Sequence, residues 1–106
     1  MRIDFNTMMR QVRKMRAEVE KARQELSENV VVEGKAAEGL VTVRANGVRE
    51  VLEVRIDPKA VDPQDLAMLE DLIVAAVNQA LAAAKAREEE VMAKITGGVK
   101  IPGLVF

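Results

Sequence analysis

The chain lacks cysteine and histidine altogether. Without Cys there is no disulfide, no thiolate metal site and no sulfur nucleophile. Without His the commonest general base, the usual catalytic triads and the usual zinc ligands are gone. Trp and Tyr are also absent, leaving Phe5 and Phe106 as the aromatics, too few for an aromatic cage or a base-stacking platform. Any enzyme chemistry would rest on carboxylates, lysines and the lone Ser27, and no convergent carboxylate spacing is present. The chain therefore reads as a non-enzyme with no cofactor and no small-molecule substrate. No uninterrupted apolar stretch approaches the ~20 residues of a membrane span, and no signal-peptide pattern opens the chain. A single cytoplasmic domain is the expectation for these 106 residues.

Charge is nearly balanced, with 16 basic and 17 acidic side chains, so its distribution carries the information. Residues 3–26 read as a helix. Phe5, Met8, Val12, Met15, Val19, Ala22 and Leu26 recur at spacings of three and four, a heptad seam narrow enough to suit a partner helix. Arg16 and Arg23 flank that seam on one side, Glu18 and Glu25 on the other. From Arg2 to Arg16 the basic residues Arg2, Arg10, Arg13, Lys14 and Arg16 face only Asp4 in the acid count.

Residues 29–57 read as three strands. The first starts at Val30, with residues 34–39 forming the turn. The second carries Val41, Val43 and Ala45 on one face. Asn46-Gly47 is a strong hairpin signal, because both positions tolerate positive φ. In the third strand Leu52, Val54 and Ile56 share a face, while Val31, Leu40 and Val51 predict partial cover for the other. Residues 63–95 read as one long helix. Asp62 would be its N-cap and Pro63 its first residue, with a stripe of Leu66, Leu69, Ile73, Val77, Ala80 and Ala84 and a stop at Gly97-Gly98. Glu88, Glu89 and Glu90 read as a solvated ion-pair face with neighbouring lysines. Asp62, Asp65, Glu70 and Asp71 fit capping and dipole roles better than a metal site. Residues 97–106 read as an irregular tail.

The result is an α+β chain, α-β-β-β-α, with a three-stranded antiparallel meander. A helix of about 33 residues is about 50 Å long, against about 26 Å for a strand of eight. The helices must therefore overhang the sheet as projecting arms. Their apolar stripes need cover that a second copy of the chain would supply, so a homodimer follows. Residues 57–71 near the sheet are acidic, while the arm ends are basic. Arg10, Arg13, Lys14 and Arg16 are the leading candidates to neutralise phosphates, followed by Arg2, Lys94 and Lys100.

Several segments together resemble the YbaB/EbfC family of bacterial nucleoid-associated proteins. They are Met8-Met9-Arg10-Gln11, Gly39-Leu40-Val41-Thr42-Val43 with Asn46-Gly47, Val54-Arg55-Ile56-Asp57-Pro58, the run from Met68 to Ala80, and the closing Gly97-Gly98 and Pro102-Gly103. The resemblance covers nearly the whole chain. It implies a homodimer that binds double-stranded DNA through its helical arms with weak or broad sequence preference, in the nucleoid, without enzymatic activity. The competing reading is a protein-interaction module of coiled-coil type that grips a partner through the seam and does not bind DNA.

Overall fold

In a computed structural model, which describes residues 4–97, the first helix, α1, runs Phe5–Asn29. Asp4 caps it: the Thr7 amide donates to Asp4 Oδ1 at 2.7 Å. That amide is one of the donors a helix start leaves without an internal partner. Its hydrogen bond to the charged form holds the Asp4 carboxyl below the usual carboxylate range. The helix continues a turn past the expected Leu26.

Three strands follow, β1 (Val31–Ala36), β2 (Val41–Asn46) and β3 (Val51–Ile56), paired antiparallel in the order β1-β2-β3. The second helix, α2, runs Leu66–Thr96. The expected α+β layout is therefore the observed one. A chain of this length folded into a ball has a radius of gyration of about 13 Å. The observed value is 19.3 Å, with extents of 70 × 21 × 17 Å, because both helices run well past the sheet.

The sheet and α2 meet at small residues. Gly34 lies inside β1, not in a turn, and pairs with Val43. A Cβ on Gly34 would stand 2.0 Å from the Ala76 carbonyl oxygen and 2.4 Å from the Ala80 nitrogen. Only hydrogen at this position lets the helix backbone come so close. The turn expected over residues 34–39 is accordingly displaced to residues 37–40, where Ala37, Glu38 and Gly39 all take positive φ. Val41, Val43 and Ala45 are fully buried beneath Ala76 and Ala80.

α2 lies over β1 and β2 and leaves β3 at the margin of its footprint. Val54 and Ile56 pair with Val43 and Val41, so they share the inner face, yet they stay 43% and 39% exposed. The outer face is solvated, not half-covered as Val31, Leu40 and Val51 predict. Ion pairs occupy it: across strands, Glu33 to Arg44 at 3.0 Å and Arg44 to Glu53 at 3.9 Å, and along β3, Glu53 to Arg55 at 2.6 Å. The Arg55 hydrogen bond lowers the Glu53 carboxyl and raises the guanidinium in return.

One boundary of α2 differs from expectation for a local reason. Asp62 does not cap α2. Its carboxylate accepts from Gln64 N in a short turn, and Asp65 is the cap, accepting from Met68 N at 3.2 Å. At the other end Gly97 takes the expected left-handed conformation, φ 64°, and its amide reaches the Ala93 carbonyl. An 18-residue window of α2 has mean hydropathy 1.5, so, contrary to the sequence reading, this helix reaches the length and apolarity of a membrane span. Part of that apolar surface lies on the sheet. Leu66, Met68 and Val74 remain more than half exposed.

Candidate nucleic-acid interface

The arms are built from α1 and the last turns of α2. The buried row of α2 is Ala76, Ala80, Ala84, Glu88 and Met92. Steps of four advance about 40° each around a helix, so this row turns through about 160° along its length. It consequently changes partners. Ala76 and Ala80 meet the sheet, whereas Met92 joins Val19 and Leu26 of α1 in a second core. The seam of α1 thus has a helical partner for its sheet-proximal half, and that partner is the chain's own α2.

The β2–β3 connection pins this junction. Gly47 does not adopt the positive φ that an Asn-Gly turn predicts; Arg49 does, at 66°. Gly47 serves close approach instead. Its amide donates to the Leu26 carbonyl at 2.8 Å, and a Cβ there would fall 2.7 Å from Leu26 Cδ2. The buried Asn46 carboxamide organises the loop by accepting from Val48 N and Glu50 N, both at 3.0 Å. From this loop Arg49 reaches Glu88 at 3.1 Å. Glu88, read from sequence as part of a solvated face, is 4% exposed and ties the hairpin to α2. A contact across 39 residues has no local sequence signal. Glu90 and Lys94 do form the expected i,i+4 pair, at a loose 4.0 Å.

Beyond this junction the seam of α1 opens. Leu26 and Val19 are buried, Met15 and Val12 half-buried, Met8 and Phe5 exposed. Along this opening half lie Arg10, Arg13, Lys14 and Arg16, and residues 5–17 contain no acid. All four are exposed and, among the described residues, none is in an ion pair. Arg10, Arg13 and Lys14 stand at i, i+3 and i+4, within about 100° of one another, on the face opposite the seam. Arg16 flanks the seam instead. Lys94 is exposed at the α2 end of the arm but shares its charge with Glu90. Arg2 and Lys100 lie outside the described residues. The structure thus brings Arg10, Arg13 and Lys14 into one patch and sets Arg16 and Lys94 apart from it. Among the described residues no cluster of three or more acidic side chains is arranged to hold a metal ion.

An α+β unit with a basic, sheet-free helix half and no catalytic cluster on it has the form of a binding module. The YbaB/EbfC DNA-binding family matches residues 1–99, and the chain belongs to that family. It is 49% identical over 102 residues to a nucleoid-associated protein of Myxococcus xanthus, covering 96% of each chain. It is 47% identical over 102 residues to one from Anaeromyxobacter dehalogenans, covering 96% of this chain and 98% of the relative. The fold is also similar to the crystal structure of an uncharacterized protein, HP0035, from Helicobacter pylori. There the TM-score is 0.80 at 19% identity, over 91% of this chain and 100% of the other. This is a family of nucleoid-associated DNA-binding proteins, not of enzymes.

Proposed function

We propose that the protein is a homodimer located in the cytoplasmic nucleoid, where it contacts the phosphate backbone of duplex DNA through its basic arms. In this reading it binds with weak or broad sequence preference and organises the nucleoid or modulates transcription. The observation that carries the proposal is the acid-free half of α1, where Arg10, Arg13 and Lys14 form one exposed patch. Such side chains position a protein on phosphates and read no bases. Arg16 and Lys94 add to the field of the arm, and Arg2 and Lys100, outside the described residues, are proposed as further phosphate contacts. The naming of relatives as nucleoid-associated proteins supports the same reading.

Surface chemistry supports a second copy. Val54 and Ile56 on β3 and Leu66 and Met68 on α2 leave large apolar side chains in water. Extended apolar exposure of this kind marks an association surface. Pairing through this sheet-side surface leaves the arms free to reach DNA.

The test is fluorescence anisotropy of a random-sequence duplex with the purified protein and with Arg13→Glu/Lys14→Glu. Binding should be lost for every duplex while sedimentation still reports a dimer. Unchanged affinity in the double variant would sink the assignment of α1. The exposed Phe5 and Met8 favour one other reading, a protein-interaction module. It predicts no DNA binding at physiological salt and damage from Met15→Glu in place of the charge reversal.

A further inference from the structure

The free half of α1 carries two features on different faces, and phosphate contact accounts for one of them. Phe5, Met8 and Val12 continue the seam through which Val19 and Leu26 meet Met92, within about 60° of one another around the helix. Phe5 and Met8 are nevertheless 69% and 48% exposed. Arg10, Arg13 and Lys14 stand on the opposite face, so a duplex held by those cations leaves the apolar residues in water.

Outward from the Val19–Met92 contact, α1 continues 14 residues to Phe5, about 21 Å, and α2 five residues to its cap Gly97, about 8 Å. The α1 tip therefore stands about 13 Å beyond the α2 end, with its seam turned toward the α2 side. A flat surface touching both ends meets α1 obliquely and covers Phe5 and Met8. Residues 5–17 and 91–97, which meet that surface, carry Arg10, Arg13, Lys14, Arg16 and Lys94 and no acid. Asp4 is the acid at the tip, and its carboxylate is turned onto the Thr7 amide. At the far end of the 70 Å molecule residues 57–71 carry five acids against Lys59, so an anionic surface draws the arm in first.

We infer that the tip of α1 docks on an anionic lipid surface, with Phe5 and Met8 among the acyl chains and Arg10, Arg13 and Lys14 among the headgroup phosphates. An apolar stripe backed by cations on the polar face of one helix is the chemistry of such a surface, which offers an apolar phase and phosphates together. Duplex DNA offers the phosphates alone. A partner helix on the seam would leave the acid-free face without counter-charge. Two large apolar side chains hold weakly by themselves, so charge supplies the affinity and the apolar pair separates a bilayer from other polyanions. The inference does not depend on DNA binding.

The test is co-sedimentation of the full chain with vesicles of phosphatidylcholine alone or of equimolar phosphatidylcholine and phosphatidylglycerol. Each cation near an anionic leaflet strengthens binding about fivefold, so the three of the patch should favour the anionic vesicles on the order of a hundredfold. The protein has no Trp, so Phe5→Trp places the sole indole at the tip. Its emission should shift to the blue on the anionic vesicles and be quenched by lipids brominated along the acyl chain. Phe5→Ser/Met8→Ser should weaken vesicle binding about tenfold or more, with helical circular dichroism and sedimentation coefficient unchanged. No binding to the anionic vesicles would overturn the inference. So would binding with an unshifted indole, which is adhesion by charge alone, or binding indifferent to the double variant. A double variant that sediments more slowly would also overturn it, since the seam would then belong to a second copy of the chain.

Discussion

The basic patch on α1 predicts how strongly salt opposes DNA binding. Arg10, Arg13 and Lys14 lie within one arc and about 6 Å of helix rise. Each strand of duplex offers a charge per roughly 3.4 Å, so all three can meet phosphates at once. Two arms in a dimer then neutralise six. The logarithm of the association constant falls with the logarithm of salt at about 0.9 per phosphate, giving a slope of about −5. Between about 50 and about 200 mM salt the affinity should drop roughly a thousandfold. Arg13→Gln/Lys14→Gln removes two contacts per arm and leaves two in the dimer. Its slope should be about −2, a loss of only about tenfold over the same range. If a single arm engages, the two slopes become about −3 and about −1, so the measurement also counts arms. Anisotropy titrations at four or so salt concentrations suffice, with two duplexes of unrelated sequence. Equal slopes for wild type and variant, or a variant that weakens on one sequence only, would refute the reasoning.

Other outcomes follow from the packing. Gly34→Ala pushes a methyl into the backbone of Ala76 and Ala80. It should cost at least the upper end of the usual 1–3 kcal/mol for overpacking, about 3 kcal/mol, as a lower urea midpoint. Leu26→Ala empties a side chain only 1% exposed at the meeting point of α1, α2 and the hairpin. It should cost about 2–5 kcal/mol in thermal or urea unfolding. Glu88→Gln keeps a hydrogen bond to Arg49 but removes the charge, and with Arg49 partly exposed the loss should be about 1 kcal/mol, read by urea unfolding. The Asp4 carboxyl has a lowered folded pKa, so its contribution is complete above its ordinary value and disappears as pH falls through the folded one. Amide signals at Thr7 should therefore show the first turn of α1 loosening in acid, and Asp4→Asn, which still caps, should remove that pH dependence.

Periodicity made the elements legible and proximity made them misplaced. The heptad spacing of α1 and the long apolar stripe of α2 are local patterns, and both helices are where they predict. Gly34 reads as a turn residue because conformational freedom is the commoner use of glycine. Its actual use, admitting the α2 backbone, depends on residues more than forty positions away. Gly47 departs from its turn signal in the same way, since its neighbour Leu26 comes from a different element. Asp62 and Asp65 offer the same capping chemistry, and sequence alone does not decide which faces an open helix end. For the candidate site, the acid-free stretch could be counted directly, and helical geometry already sets Arg16 apart from Arg10, Arg13 and Lys14. The Arg49–Glu88 tie could not be found that way, because nothing near either residue points to the other.

The seating of α2 at Gly34 also has a mechanical consequence. The helix is anchored near Ala80 and runs on to Gly97, 17 residues or about 25 Å further. α1 is packed on that length at Met92 and the hairpin is tied to it at Glu88, so the glycine contact, as fulcrum, sets the tilt of the whole arm. A difference of about 10° in that tilt displaces the far end by about 4 Å, comparable to the spacing of successive charges along a DNA strand. Relatives that keep every arm cation but differ in the size of the residues at this fulcrum would hold those cations on a different pitch. The pitch of the charges is in this sense set at the sheet, far from any of them.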